Sequence, residues 1–200
     1  MADVIRQPKQ KRAIEKKNKI IEAGYQLFAD DGYFNTNTEQ IAKKAGVSTG
    51  ILYSYFHDKL DVLVEVLDIY VNNVYLPIVK SLEKLDALNF DEILPNVLDN
   101  VVCLHKENHN MHEALHSLTA SVPVVNDKFI ELQDQVTKRI ATKLVDLGYN
   151  LGNVFERVHL AVEIVQLFSH ECVFDNHAYI DYQSMKSIVL KMLKDLFVHQ

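Results

Sequence analysis

Cysteine is almost missing from this sequence: Cys103 and Cys172 are the only two in 200 residues. Two cysteines make no disulfide framework, and a reducing, cytoplasmic setting is expected. Only four prolines and six glycines interrupt the chain, which favours long helices over many short strands and turns. No uninterrupted apolar run reaches the roughly 18 residues of a membrane span. The N-terminus is polar and basic with no apolar segment behind it, so it does not read as a secretory signal. There is no Gly-rich phosphate loop, no H-E-x-x-H, no G-x-S-x-G and no cysteine pair at zinc spacing. An enzyme is therefore not expected, and no cofactor is assigned. No 20–50-residue repeat and no low-complexity tract is visible.

What is present is an ordinary globular balance, 48% hydrophobic and 24% charged, enough to bury a sizeable core. The net charge of −6 argues against a protein that coats nucleic acid. Its distribution is uneven: residues 1–59 carry ten Lys/Arg against seven Asp/Glu, and residues 60–200 carry eleven against twenty. A small basic head on an acidic body is the pattern of a local anion-binding site. Seven of the basic residues, Arg6, Lys9, Lys11, Arg12, Lys16, Lys17 and Lys19, lie in the first 19.

Residues 1–15 read as a flexible basic arm. Ile20, Gly24, Leu27 and Phe28 then share one face of a helix that Gly32 stops. A second helix begins near Thr36–Thr38. Thr36 with Glu39, or Asn37 with Gln40, stands at capping-box spacing, and the sequence leaves both open. Gly46-Val47-Ser48 separates it from a short helix over Thr49–Phe56, with Ser48 as cap. Two short helices joined by a tight Gly-containing turn are the helix-turn-helix signature. Asp58 is expected to cap a helix running five turns to Ile78. Further helices are expected at about 91–108, 110–121, 126–147, 153–175 and 181–198.

The segment 20–63 resembles the TetR family of regulators. The residues that carry the resemblance are Ile20 through Phe28, Gly32-Tyr33, Thr36, Ile41-Ala42, Ala45-Gly46-Val47-Ser48, Gly50, Leu52-Tyr53, Tyr55-Phe56, Lys59 and Leu63. The expected fold is all-α. A three-helix DNA-binding domain at 16–58 would be followed by a larger helical regulatory and dimerisation domain at 59–200. The second helix of such a unit enters the major groove, with its N-terminal residues at base edges. Thr49 and Gly50 stand there; Gly50 allows close backbone approach, and Thr49 offers a hydroxyl and a methyl. The resemblance implies phosphate contacts at Thr38, Tyr53, Tyr55 and Lys59. Tyr55 reads equally well as a core aromatic. With Ser48, these form the expected DNA-facing set: Thr38, Ser48, Thr49, Gly50, Tyr53, Tyr55 and Lys59. Ile51 stands where family members often carry a polar base reader, so direct readout there is limited to apolar contact.

The resemblance also implies a homodimer on double-stranded operator DNA, a repressor released by a small-molecule effector. Tyr70, Tyr75, Met111, His112, Leu115, Phe129 and Phe168 are the candidates for lining an effector pocket. In the family the last two helices pair across subunits, which places Val158, Val162, Val165, Val189, Leu193 and Leu196 at the expected dimer seam. A rival reading comes from His105, His109, His112 and His116. Their spacing of 4, 3 and 4 gathers them on one face if the helix is continuous, as in a metal or haem sensor. Asn108 and Asn110 signal a break inside that run. A helical metal-binding module without DNA would leave the basic head unexplained.

Overall fold

The computed structural model describes residues 11–149, 151–175 and 177–197. Among them every regular element is helical. Two compact units divide the chain: residues 1–73 with 108–132, and residues 74–107 with 133–200.

The first unit opens with α1 (Lys11–Asp30), which starts five residues earlier than the periodicity suggested. Residues 11–15 of the expected basic arm are thus helical, and residues 1–10 lie outside the described residues. Gly32, at φ 85°, turns the chain in a conformation that residues with a Cβ rarely adopt. Thr36 is buried, and its hydroxyl donates to the Gly32 carbonyl at 2.9 Å. Thr36 is therefore not the cap of α2 (Thr38–Ala45). Asn37 is: its Oδ1 accepts the Gln40 N–H at 3.0 Å, and Gln40 Oε1 accepts the Asn37 N–H at 2.8 Å. This reciprocal pair closes the capping box that the sequence left open.

Gly46, at φ 68°, ends α2 and returns its N–H to the carbonyls of Ala42 and Lys43. Ser48 Oγ then accepts the Ile51 N–H at 3.3 Å and starts α3 (Thr49–Tyr53). Asp58 Oδ1 accepts the Asp61 N–H at 3.0 Å at the start of α4 (Lys59–Val74). Ile20, Phe28, Ile41, Leu52, Val62, Leu63 and Val66 are fully buried and form the centre of this unit. α4 belongs here because its inner face packs on α1, which moves the unit border beyond the expected residue 58. α7 (His109–Thr119) and the start of α8 (Pro123–Asp146) complete the unit, burying Met111, Leu115 and Val125. Asn110 Nδ2 donates to the carbonyls of Ala29 and Asp30, satisfying acceptors at the end of α1.

Gly24 shows how close α1 and α4 come. A Cβ built on it would stand 2.7 Å from Val62 Cγ1 and 3.5 Å from Val66 Cγ2. Gly24→Val is expected to lower stability by about 2–3 kcal/mol through overpacking, read as a lower urea midpoint. An unchanged midpoint would contradict this packing.

The second unit holds α5 (Leu76–Glu83), α6 (Phe90–Glu107), residues 133–146 of α8, α9 (Val154–His170), a π-helical turn (Glu171–Asp175) and α10 (Tyr182–Phe197). The single helix expected as far as Ile78 ends at Val74 instead, and α5 starts afresh after Tyr75. Pro77 is the cause: it has no N–H to continue the ladder, and its ring excludes the carbonyl four residues back. The stretch Lys59–Glu83 is long and apolar enough, by length and composition alone, to cross a membrane. Glu65, Asp68, Asn72 and Asn73 interrupt it, and Val62, Leu63, Val66, Leu67 and Tyr70 are buried in the first unit. The second unit's core gathers Leu98, Val101, Ala141, Leu144, Val158, Ala161, Val165, Phe168, Val189, Leu193 and Phe197.

The histidine run is not one face. Asn108 breaks the chain between α6 and α7, leaving His105 in the second unit and His109, His112 and His116 in the first. His105 is buried with Nδ1 2.8 Å from the Val101 carbonyl, and the His112 and His116 rings lie 5.2 Å apart. Among the described residues no group of three or more His, Cys, Asp or Glu could hold a metal ion. The sensor alternative loses the continuous helix on which it rested.

Candidate functional site

The turn between α2 and α3 is built so that the buried side chains point one way and the start of α3 points the other. Ile41, Ala42 and Leu52 face inward, while Ser48, Thr49, Gly50 and Tyr53 are exposed. Ser48 is committed locally, its hydroxyl capping α3. Tyr53 is 54% exposed, and its hydroxyl lies 3.0 Å from Thr38 Oγ1. The first residue of α2 and the last of α3 thus hold each other through one hydrogen bond, 15 positions apart in sequence. Lys43 and Lys44 are exposed on the last turn of α2.

Two members of the expected set differ. Tyr55 is 9% exposed and packs in the head's core, so the core reading of that tyrosine holds. The cause is helical geometry: Tyr53 and Leu52 take opposite faces of α3, and Tyr55-Phe56 follow Leu52 inward. Lys59 is drawn inward too. Its Nζ donates to the carbonyls of Tyr33 at 2.7 Å and Thr36 at 2.8 Å, and lies 4.1 Å from the centre of the Tyr33 ring. Burial lowers the pKa of this ammonium. Lys59 ties the α1–α2 loop to the start of α4, with one N–H left over. Lys17 pairs with Glu65 at 2.8 Å.

The second unit contains a cavity of about 130 Å³ walled by α5, α6, α8, α9 and α10. Of the seven expected pocket residues only Tyr75 lines it. Tyr70, Met111, His112, Leu115 and Phe129 belong to the first unit, where all but Phe129 are buried, and Phe168 lies in the second unit's core. An aromatic or methionine at helical spacing is more often core, and here it is.

The residues expected at the dimer seam are turned largely inward in the single chain. Val158, Val165, Val189 and Leu193 are buried in their own unit, Val162 lines the cavity, and Leu196 packs against the same core. α9 and α10 are apolar on more than one face, and periodicity alone does not say which stripe turns inward. The four most exposed large apolar residues of these helices are Leu160 and Leu167 on α9, 49% and 68% exposed, and Ile188 and Met192 on α10. Sequence reasoning missed these four, as it missed α5 and most of the cavity wall. Only their spacing, seven and four apart, could have indicated them.

Residues 20–66 match the family described as bacterial regulatory proteins, tetR family. The regulator HbdR of Aromatoleum sp. is 44% identical over 64 residues, 30% of this chain and 28% of that protein. The chain thus spans little more than a quarter of the length of this relative. The regulator SAB2452 of Staphylococcus aureus is 24% identical over 187 residues, 92% of this chain and 96% of that protein. The crystal structure of a TetR-family regulator from Mesorhizobium loti shares the fold with a TM-score of 0.69 at 19% identity, covering 94% of this chain and 97% of that one.

Proposed function

We propose, for a chain that belongs through residues 20–66 to the TetR family of bacterial transcriptional regulators, a dimeric repressor that grips a palindromic operator and is released by a small molecule. One observation carries the reading: Thr49, Gly50 and Tyr53 stand exposed at a capped three-helix head, with Tyr53 braced by Thr38. The N-terminal residues of such a helix meet base edges in the major groove. Thr38 and Tyr53 contact phosphate, and Lys59 acts chiefly by holding the loop that positions them. A single five-residue helix buries too little surface to select one genomic site. Two copies related by a twofold axis read two half-sites.

The cavity of the second unit takes the effector. The effector weakens DNA binding by as much as it prefers the dimer state whose recognition helices are wrongly spaced. Such a regulator works in the bacterial cytoplasm, beside its operator.

Selection of random DNA duplexes on the purified full chain, followed by sequencing, tests this reading. The expected result is a palindrome with half-sites about one helical turn, or a multiple of it, apart. Affinity should fall steeply with salt, because each phosphate contact releases counterions. No enriched motif at low salt in the ligand-free protein would sink the proposal.

A further inference from the structure

We infer that the second unit's cavity is built for a small amphipath with a hydrocarbon body and one anionic head, the head bound by Lys143. The inference rests on the reading of that cavity as the effector site. Its wall is almost wholly hydrocarbon: Ile78, Leu94, Val97, Ile140, Leu193 and Phe197 are representative. A cavity of about 130 Å³ is close to the ~150 Å³ that takes up benzene when lined by such side chains. A short alkyl chain or a single ring is the matching body.

Three polar side chains besides Tyr75 reach this wall: Glu83, Lys143 and Gln166. Glu83 is already satisfied. Arg139 grips it with both prongs, Nε to Oε1 at 2.8 Å and Nη2 to Oε2 at 2.7 Å. Its carboxyl is held below the usual range, the Arg139 hydrogen bond being the chief cause. Lys143 stands one helical turn beyond Arg139 on α8, half-buried. Among the described residues its ammonium makes no ion pair. Arg139, Lys143 and Lys80 thus bring three positive charges to one carboxylate, and Lys143 is the one of them whose side chain lines the cavity. An anionic oxygen there gains a charge-assisted hydrogen bond, a hydroxyl gains a weaker one, and an ammonium meets repulsion. Gln166, on α9, adds an uncharged amide that can donate to the same head or to a linking carbonyl.

Pentanoate, pentan-1-ol and pentylamine carry the same short chain and differ only in the head. Each is titrated calorimetrically near neutral pH into the full chain, into Lys143→Met and into Leu94→Trp, whose indole fills the cavity. Melting curves of both variants confirm that they fold. Pentanoate is expected to bind about tenfold tighter than pentan-1-ol, the ratio for one hydrogen bond to a charged group, and pentylamine weakest. Lys143→Met should bring the acid and alcohol within about twofold, the acid losing much more affinity than the alcohol. The head assignment is overturned if pentan-1-ol equals pentanoate on the parent protein, or if the preference survives in Lys143→Met. In that case, binding that Leu94→Trp abolishes leaves the cavity as the effector site. If none of the three binds, or if Leu94→Trp binds all three undiminished, the cavity reading falls with it. Duplex selection is unaffected by any of these outcomes.

Discussion

Replacing Gly50 by leucine is expected to leave the protein at least as stable and to weaken operator binding by a hundredfold or more. The fold itself makes no demand for glycine at this position. Its φ is not among the positive ones, which belong to Gly32, Gly46 and Gly148. A Cβ built on it would meet only Ser48 Oγ, at 4.0 Å, which is ordinary contact. Nothing inside the head therefore requires glycine there. In a helix interior it costs up to about 1 kcal/mol against alanine, a cost somewhat smaller near the helix start. A residue that weakens its own helix without an internal reason is explained by something outside the chain. Close approach of the α3 backbone to a major-groove edge, as in the proposed function, would supply that reason, and a leucine side chain would occupy the space. Urea unfolding and gel-shift titration of the same preparation check both halves. Gly50→Ala should fall between, slightly more stable and moderately weaker in binding. Wild-type affinity in Gly50→Leu would mean that α3 does not approach DNA by its first turn. Gly24→Val is the contrast, since its added methyls meet Val62 and should damage the fold itself.

The head was legible because its signals are local. Gly32 and Gly46 sit at the two left-handed positions, Ser48 and Asp58 cap the helices that follow them, and each can be read within four residues. The choice between Thr36 and Asn37 was not legible, because Thr36 is fixed by burial and by a bond to Gly32. Nor was the inward turn of Lys59, whose acceptors lie 23 and 26 positions away. The body was readable as helices but not as faces. Val158 and Leu160 are two apolar residues on one helix, one buried and one half exposed, and only the neighbours packed against α9 decide between them. The cavity joins residues from Tyr75 to Phe197, so no window of sequence contains it. Of the seven residues expected to line a pocket, six lie outside this cavity.

Glutamate at both Leu167 and Ile188 is expected to give a folded monomer, whereas glutamate at Leu193 alone should unfold the second unit. Leu167 and Ile188 are 68% and 61% exposed in the single chain, so charging them should cost that chain no more than about 0.5 kcal/mol each. Together with Leu160 and Met192 they leave apolar surface on two helices that pack side by side. Exposed apolar side chains of that kind suit a partner surface, and under the proposed palindromic operator the partner would be a second copy. A stable interface buries roughly 1,200–2,000 Å² in total, more than four side chains supply. The flanking polar residues of α9 and α10 must therefore join it, and two opposed pairs of new carboxylates at its centre should suffice to break it. Leu193 is fully buried, and a charge there should cost about 4 kcal/mol or more. Sedimentation with circular dichroism separates the cases. The double variant should sediment as a monomer with unchanged helical content and bind the operator far more weakly, each head now reading a half-site alone. A double variant that stays dimeric would move the seam off α9 and α10, and the half-site spacing would then have to be set by another surface.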